Sequence, residues 1–335
     1  MIDTRQRAGS KSPRSAVQPA LVFQAFARAD LGGPAAYGRR FDDRAFAGAV
    51  NLPDGRQAWL AVVADGVGGG PAGGHAADLA VEAVLARLTG QAVDDPVAAL
   101  AEATRAAHQA VQAAGRDVSR RGLASTLAAA LVVERRLYVV NVGDSRIYLL
   151  QGARLTQVTD DHVWWRLAVA EGRAEADHAR RHPRAEELAR ALGLDGDVEP
   201  DLGLYLRGGP LAGEDATAAR DNQGLALQAG DRVLVCSDGL IKSRADCSGR
   251  ATVSDAELRD QLEYGEAEAA VHALIGLAHG RGADDNISAA VLAVAASAQA
   301  GPGWRPLLGP FLGLLFVGLV SALAASVTTA WWLGR

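Results

Sequence analysis

Four segments each set an aspartate beside an apolar, strand-like run: Asp65 in LAVVADGVGGG, Asp144 in LYVVNVGDSR, Asp238 in RVLVCSDGL and Asp285 in ADDNISAAVLAV. Carboxylates converging from strand ends make a site for a hard cation. Mg²⁺ and Mn²⁺ take oxygen ligands and keep several waters, so an aspartate set without Cys or His suits them and disfavours zinc. A single Asp-Gly after a strand is only turn chemistry, because both residues tolerate tight turns. Its recurrence through one chain, beside runs that need no Asp, points to a site. Gly66 and Gly68 to Gly70 would let the backbone pass close to the ions.

The elements that must position these residues alternate between strands and helices. LAAALVV (127–133) and LYVVNV (137–142) are separated only by Glu134, Arg135 and Arg136, and RIYLL (146–150) meets RLTQV (154–158) across Gln151-Gly152-Ala153. Such short links join antiparallel neighbours. Ala-rich helical stretches lie at 74–90, 95–114, 184–192, 254–263 and 266–279. Antiparallel sheets with helices packed outside them give an α+β layered domain over residues 21–296.

The chain has 335 residues, 49% of them hydrophobic, which is enough to bury a full core. A net charge of −5 and scattered Lys and Arg argue against nucleic acid as a partner. Cys236 reads as core, and with Cys247 it forms neither a disulfide framework nor a metal-ligand spacing. Residues 1–20 are polar and basic and read as a disordered arm. Residues 307–333 contain no charged residue, carry Trp331 and Trp332 near one edge and follow Trp304, the pattern of a transmembrane helix. Residues 297–306 serve as the linker.

The ordered set Asp42-Asp43, ADGVGGG, GLASTL, NVGDSR, TDDH, GDRVLVCSDGL and ADDNIS resembles the metal-dependent serine/threonine protein phosphatases of type 2C, bacterial type, across residues 25–296. The resemblance implies two antiparallel β-sheets packed as a sandwich and flanked by helices, in α-β-β-α layers, with two or three Mg²⁺ or Mn²⁺ ions at one end. Asp65 would bridge the first two ions, with the carbonyl of Gly66 on the first and Asp238 and Asp285 on the second. Asp144 and Asp238 match positions that hold a weaker third ion.

The first motif departs from the family. GRRFDDR puts Gly38 where the family has a phosphate-binding arginine, and Asp42 where it has Glu. Arg39, one residue out of register, is the candidate replacement, since Arg binds phosphate through two parallel hydrogen bonds. Asp42, a methylene shorter than Glu, would reach the second metal through water, with Asp43 behind it. Val67 stands where eukaryotic members often place a proton-donating His. His75 reads as exposed, His162 as structural, and residues 163–183 as a mobile flap over the site.

The implied activity is hydrolysis of phosphoserine and phosphothreonine on proteins by water activated at a binuclear Mg/Mn centre, opposing a Ser/Thr protein kinase. Asp65, Asp238, Asp285 and Arg39 would carry the catalysis. The rival readings are a catalytically impaired phosphatase-fold binding protein at the membrane and a hydrolase of small phosphometabolites. The apolar C-terminal run places the protein in the cytoplasmic membrane as a single-pass protein, with its catalytic domain in the cytoplasm among its phosphoprotein substrates.

Overall fold

The computed structural model describes residues 21–32, 40–67, 73–117, 122–242 and 252–296. The chain divides into a unit Met1–Ser297, which holds all of these, and a unit Ala298–Arg335. The arm 1–20, Gly38, Arg39, Gly68 to Gly70, Cys247, the linker and the apolar run 307–333 lie outside the described residues. Among the described residues no helix is long and apolar enough to cross a membrane.

In chain order the elements are β1 (Leu21–Asp30), β2 (Asp43–Asn51), β3 (Gln57–Val67), α1 (Gly73–Gly90), α2 (Pro96–Ala114), β4 (Ala124–Ser125), β5 (Leu127–Val133), β6 (Arg136–Val142), β7 (Arg146–Gln151) and β8 (Arg154–Gln157). There follow α3 (Trp164–Ala170), α4 (Ala176–Arg180), α5 (Ala216–Asp221), β9 (Leu225–Ala226), β10 (Arg232–Cys236), α6 (Asp238–Ile241), α7 (Asp255–Glu263), α8 (Ala267–Gly280) and β11 (Ile287–Ala296). One sheet runs β1-β11-β10-β7-β8 and the other β2-β3-β5-β6-β9, with β4 beside β3. Every pairing is antiparallel.

Alternation along each strand sorts side chains between two faces. From β3, Ala61 and Val63 enter the space between the sheets, where they join Ala130 and Val132 of β5, Ile147 and Leu149 of β7 and Leu292 of β11. Leu60, Val62 and Ala64 point the other way, onto Ala77, Ala80, Val84 and Leu88 of α1 and Leu100 and Ala107 of α2. On the far side, Leu234 and Val291 pack against Leu258 of α7 and Val271 and Leu274 of α8. Both faces of each sheet are covered, so the central strands β3, β5, β10 and β11 read as near-continuous apolar runs, while the edge strands β1, β2 and β8 are only partly buried. The result is the expected α-β-β-α sandwich.

Local chemistry fixes the ends of these elements. Asp95 caps α2 by accepting from the backbone N–H of Val97 at 2.9 Å and of Ala98 at 3.3 Å, and Pro96 in the first turn forfeits no helical bond. Ser254 and Glu257 form a reciprocal capping box on α7. Glu134 and Arg135 both take positive φ, which makes the β5–β6 hairpin a tight two-residue turn without glycine.

The helix expected at 184–192 does not form. The N–H of Ala189 bonds instead to the His162 carbonyl at 2.8 Å, and Leu192 exchanges bonds with Ser125 at 2.8 and 3.2 Å. Tertiary bridges have taken the donors that a helix would have used. The segment read as a flap also has its own order: Trp164 stacks on His182 at 4.2 Å, and Trp165 is buried beneath the guanidinium groups of Arg166 and Arg180. Leu131, fully buried under the helices, tests the layer packing. Leu131→Ala is expected to lower unfolding free energy by about 2–5 kcal/mol in urea titration, by lost transfer energy and a residual cavity.

Candidate metal centre

The register of β2 on β3 places Asp43 directly opposite Asp65. Both continue the row of Ala45, Val63 and Ala61 that fills the space between the sheets, so two carboxylates close one end of an apolar core. Asp238 opens α6 just after β10, Asp285 lies two residues before β11, and Asp144 lies in the turn that carries the chain from β6 in one sheet to β7 in the other. Asp65 lies within electrostatic reach of Asp43, Asp144, Asp238 and Asp285.

Hydrogen bonds hold this end rigid. The Asp65 N–H donates to Thr126 Oγ1 at 2.9 Å, and the Thr126 N–H returns a bond to the Asp65 carbonyl at 2.8 Å. Thr126 Oγ1 in turn meets Ser145 Oγ, beside Asp144, at 2.7 Å. Asn286 Oδ1 accepts from the backbone of Asp42 at 2.6 Å, tying the first acidic motif to the last. A Cβ on Gly66 would come within 2.1 Å of the Gly73 carbonyl, and one on Gly239 within 1.9 Å of the Asn286 carbonyl. Only glycine permits these two backbone approaches.

The electrostatics are those of crowded acids. Asp43 is 1% exposed, and neither carboxylate oxygen has a hydrogen-bond partner of good geometry. Burial, with the charges of Asp238 and Asp285 added, raises its carboxyl to about 7 even though the Ser237 and Ser288 hydroxyls lie close enough to ease it. Asp65 keeps partial exposure, yet burial and the charges of Asp43, Asp238, Asp144 and Asp285 push its carboxyl well above the ordinary range. Burial and Asp238 raise Asp144 in the same sense. Among the described residues no three His, Cys, Asp or Glu side chains are grouped closely enough to hold a metal ion as they stand. A partnerless buried carboxylate, all-oxygen donors and mutual repulsion nevertheless fit a hard divalent cation.

Asp42 and Asp43 exchange the places expected of them. The Asp42 carboxylate accepts from the Gly74 N–H at 2.8 Å, at the start of α1, while Asp43 faces the cluster. The strand register decides where Asp43 points: it is the first residue of β2, opposite Asp65, while Asp42 lies just before the strand. His75 is half-buried in the first turn of α1 rather than exposed. His162 is structural: its Nδ1 accepts from the Gly143 N–H at 3.1 Å and its Nε2 lies 3.5 Å from Asp201.

Several contributors escaped the sequence reading. Arg146 grips Asp161 through bonds of 2.7, 2.9 and 3.1 Å, which together with Lys242 hold the Asp161 carboxyl below its usual range despite burial. Arg44 pairs with Asp78 of α1 and donates to the carbonyls of Asp43 and Phe41. Asn286, Thr126 and Arg146 lie inside motifs already singled out, but their partners are 15 to 244 residues away and no local pattern names them. A cavity of about 340 Å³ bordered by Asp160, His162, Arg166 and Tyr205 contains Asp161 but none of the clustered aspartates, so it is separate from the acidic centre.

Comparison with known proteins agrees with this geometry. Residues 38–277 match the family described as Protein phosphatase 2C. The chain is 32% identical over 272 residues to the serine/threonine protein phosphatase PstP of Mycobacterium tuberculosis, covering 81% of this chain and 45% of that protein. It is thus similar to less than half of the relative's length. It is 30% identical over 237 residues to the serine/threonine phosphatase stp of Listeria welshimeri, covering 68% of this chain and 82% of the relative. The catalytic domain of PstP, solved in complex with two manganese ions, superposes with a TM-score of 0.61 at 31% identity, over 82% of this chain and all of that one.

The Asp43 carboxyl gives a pH test. An acid raised from 3.8 to about 7 on folding binds its proton more tightly in the folded state, so its contribution favours folding at low pH and is lost as pH climbs through that window. In EDTA, the urea-measured stability of the wild-type protein is expected to fall between about pH 4 and pH 7, and Asp43→Asn should flatten the fall. An unchanged slope in the variant would count against Asp43 as the strained acid.

Proposed function

This chain belongs to the protein phosphatase 2C family, and on that premise we propose that it hydrolyses phosphoserine and phosphothreonine on proteins with Mg²⁺ or Mn²⁺ at the acidic centre. The observation that carries the reading is the cross-strand pair Asp43–Asp65 at the end of the sandwich, with Asp43 buried and further carboxylates acting on Asp65. Like charges directly opposite in a sheet are destabilising, and a divalent cation offsets that repulsion. The curated relatives named as serine/threonine phosphatases, and the manganese reported with PstP, support the same chemistry.

The residues that would hold the ions are Asp65 with the Gly66 carbonyl, Asp238, Asp285 and, facing them across the strand pair, Asp43. Such ions, when bound, supply a water acidic enough to attack phosphorus in line and neutralise charge on the phosphoryl oxygens. The chain's own part is to fix those ligands. Thr126 locks the backbone of Asp65, Asn286 locks that of Asp42, and Gly66 and Gly239 allow the close approach of α1 and β11. Val67, 38% exposed, gives the neighbouring surface an apolar side chain with no titrating group. Arg39 would bind the substrate phosphate in place of the arginine absent at position 38. The full set of strand-end aspartates speaks against an inert binding protein.

The proposal extends to location. The catalytic domain would span 21–296, with a linker at 297–306 and a membrane helix at 307–333 holding it to the cytoplasmic membrane. There it would face phosphoproteins and the kinase that makes them. The support is the uncharged apolar run, long enough to span the hydrocarbon core.

Phosphate release from a phosphothreonine peptide is expected to require Mn²⁺ and to stop with EDTA. Asp65→Asn or Asp238→Asn should lower kcat by about 100-fold or more, the equivalent of several kcal/mol of barrier. Arg39→Ala should instead raise KM more than it lowers kcat. Near-normal turnover in either Asn variant would refute the metal assignment. For location, the full-length protein should sediment with membranes and resist protease added to intact spheroplasts. Recovery in the soluble fraction would refute the anchor.

A further inference from the structure

Lys242 follows α6, the short helix that Asp238 opens, and its backbone N–H bonds to the Asp238 carbonyl at 2.6 Å. That tight turn sends the side chain back toward the acidic centre. Its Nζ donates to Asp144 Oδ2 at 2.8 Å and lies 3.5 Å from Glu186 Oε2 and 3.9 Å from Asp161 Oδ2. The Lys242 side chain is 17% exposed and that of Asp144 8%, so little water screens the pair. An ammonium in this setting behaves as a fixed charge, unlike the weak ion pairs of a protein surface.

We propose that the Lys242 ammonium is a built-in cation on the Asp144 side of the centre, so that this protein takes ions between Asp65, Asp238 and Asp285 but not a third between Asp144 and Asp238. The proposal rests on the two-ion reading given above. An Asp144 oxygen that accepts a 2.8 Å bond from Nζ is committed to a cation already. A divalent ion there must either expel the ammonium, leaving it buried without its partner, or sit beside it against like-charge repulsion. Asp161, the other buried acid at this spot, offers no replacement, because Arg146 engages both of its oxygens. Glu186 lies in the segment that follows α4, so the same ammonium also ties that segment to the centre.

Nothing in the sequence motifs marks Lys242, which stands two residues beyond the DGL of RVLVCSDGL. Its role follows from three carboxylates of distant sequence position meeting one amine: Asp144, Asp161 and Glu186. Lys242 is a positioning residue here, holding charge and not touching the reacting phosphorus.

The test counts ions on the full-length protein by Mn²⁺ titration, with free ion read from its paramagnetic resonance signal. The wild type is expected to saturate at about two Mn²⁺ per chain, and Asp144→Asn should leave the count unchanged. Lys242→Met should gain one ion, and the double variant Lys242→Met/Asp144→Asn should lose it again. A third wild-type ion that Asp144→Asn removes would overturn the proposal, as would a folded Lys242→Met with the wild-type count. If circular dichroism shows Lys242→Met unfolded, the wild-type and Asp144→Asn counts alone decide. A wild type that binds no Mn²⁺ would overturn the two-ion reading itself, an outcome distinct from binding three.

Discussion

A sheet that sets Asp43 opposite Asp65 at the end of an apolar core must contain a repulsion it cannot solvate away. Much of the structure around that end can be understood as its containment. Most of β3 is buried on both faces, which fixes its register with β2, because a one-residue slip would turn the acids toward the helices and the apolar residues of β3 out of place. Thr126 and Asn286 then satisfy the backbone on either side, so that the carboxylates have no way to relax by moving the chain.

The acids of this region fall into distinct electrical states. Arg146 holds the Asp161 carboxyl below its usual range despite burial, whereas Asp144, although it bonds to Lys242, is still raised by burial and by Asp238. Asp42 is spent on the start of α1, and Asp78 on Arg44. The strongest charges acting on Asp65, by contrast, are all carboxylates. Opposite signs are thus distributed so that internal cations serve the periphery while the centre is left in excess negative charge. That asymmetry is what the proposed divalent-ion site rests on, and it sets these acids apart from a set of structural salt bridges.

Packing explains why the centre sits where it does. The inter-sheet core ends with small and polar residues, Asp43, Ser237 and Ser288, after a run of Ala, Val and Leu. Glycine removes the obstacle of a side chain where α1 and α6 approach this end, at Gly66 against Gly73 and at Gly239 against Asn286. The tryptophan-rich stretch after His162 folds upon itself through Trp164, Trp165 and their basic neighbours, which gives it a core of its own beside the site.

The sequence by itself determined the layer type, the two hairpins of β5–β6 and β7–β8, the helices at 74–90, 95–114, 254–263 and 266–279, and the four strand-end aspartates. These are local patterns: short links, apolar runs and capping residues act within a few positions of themselves. Tertiary structure alone decided which of the adjacent acids Asp42 and Asp43 faces the cluster, because strand register assigns the faces. It also dissolved the helix expected at 184–192 by offering its donors better partners at His162 and Ser125, and it brought Lys242 onto Asp144 across 98 residues of chain. Long-range pairing of charge leaves no mark in a local sequence pattern, since the pairing energy depends on distance and burial that only the folded chain defines.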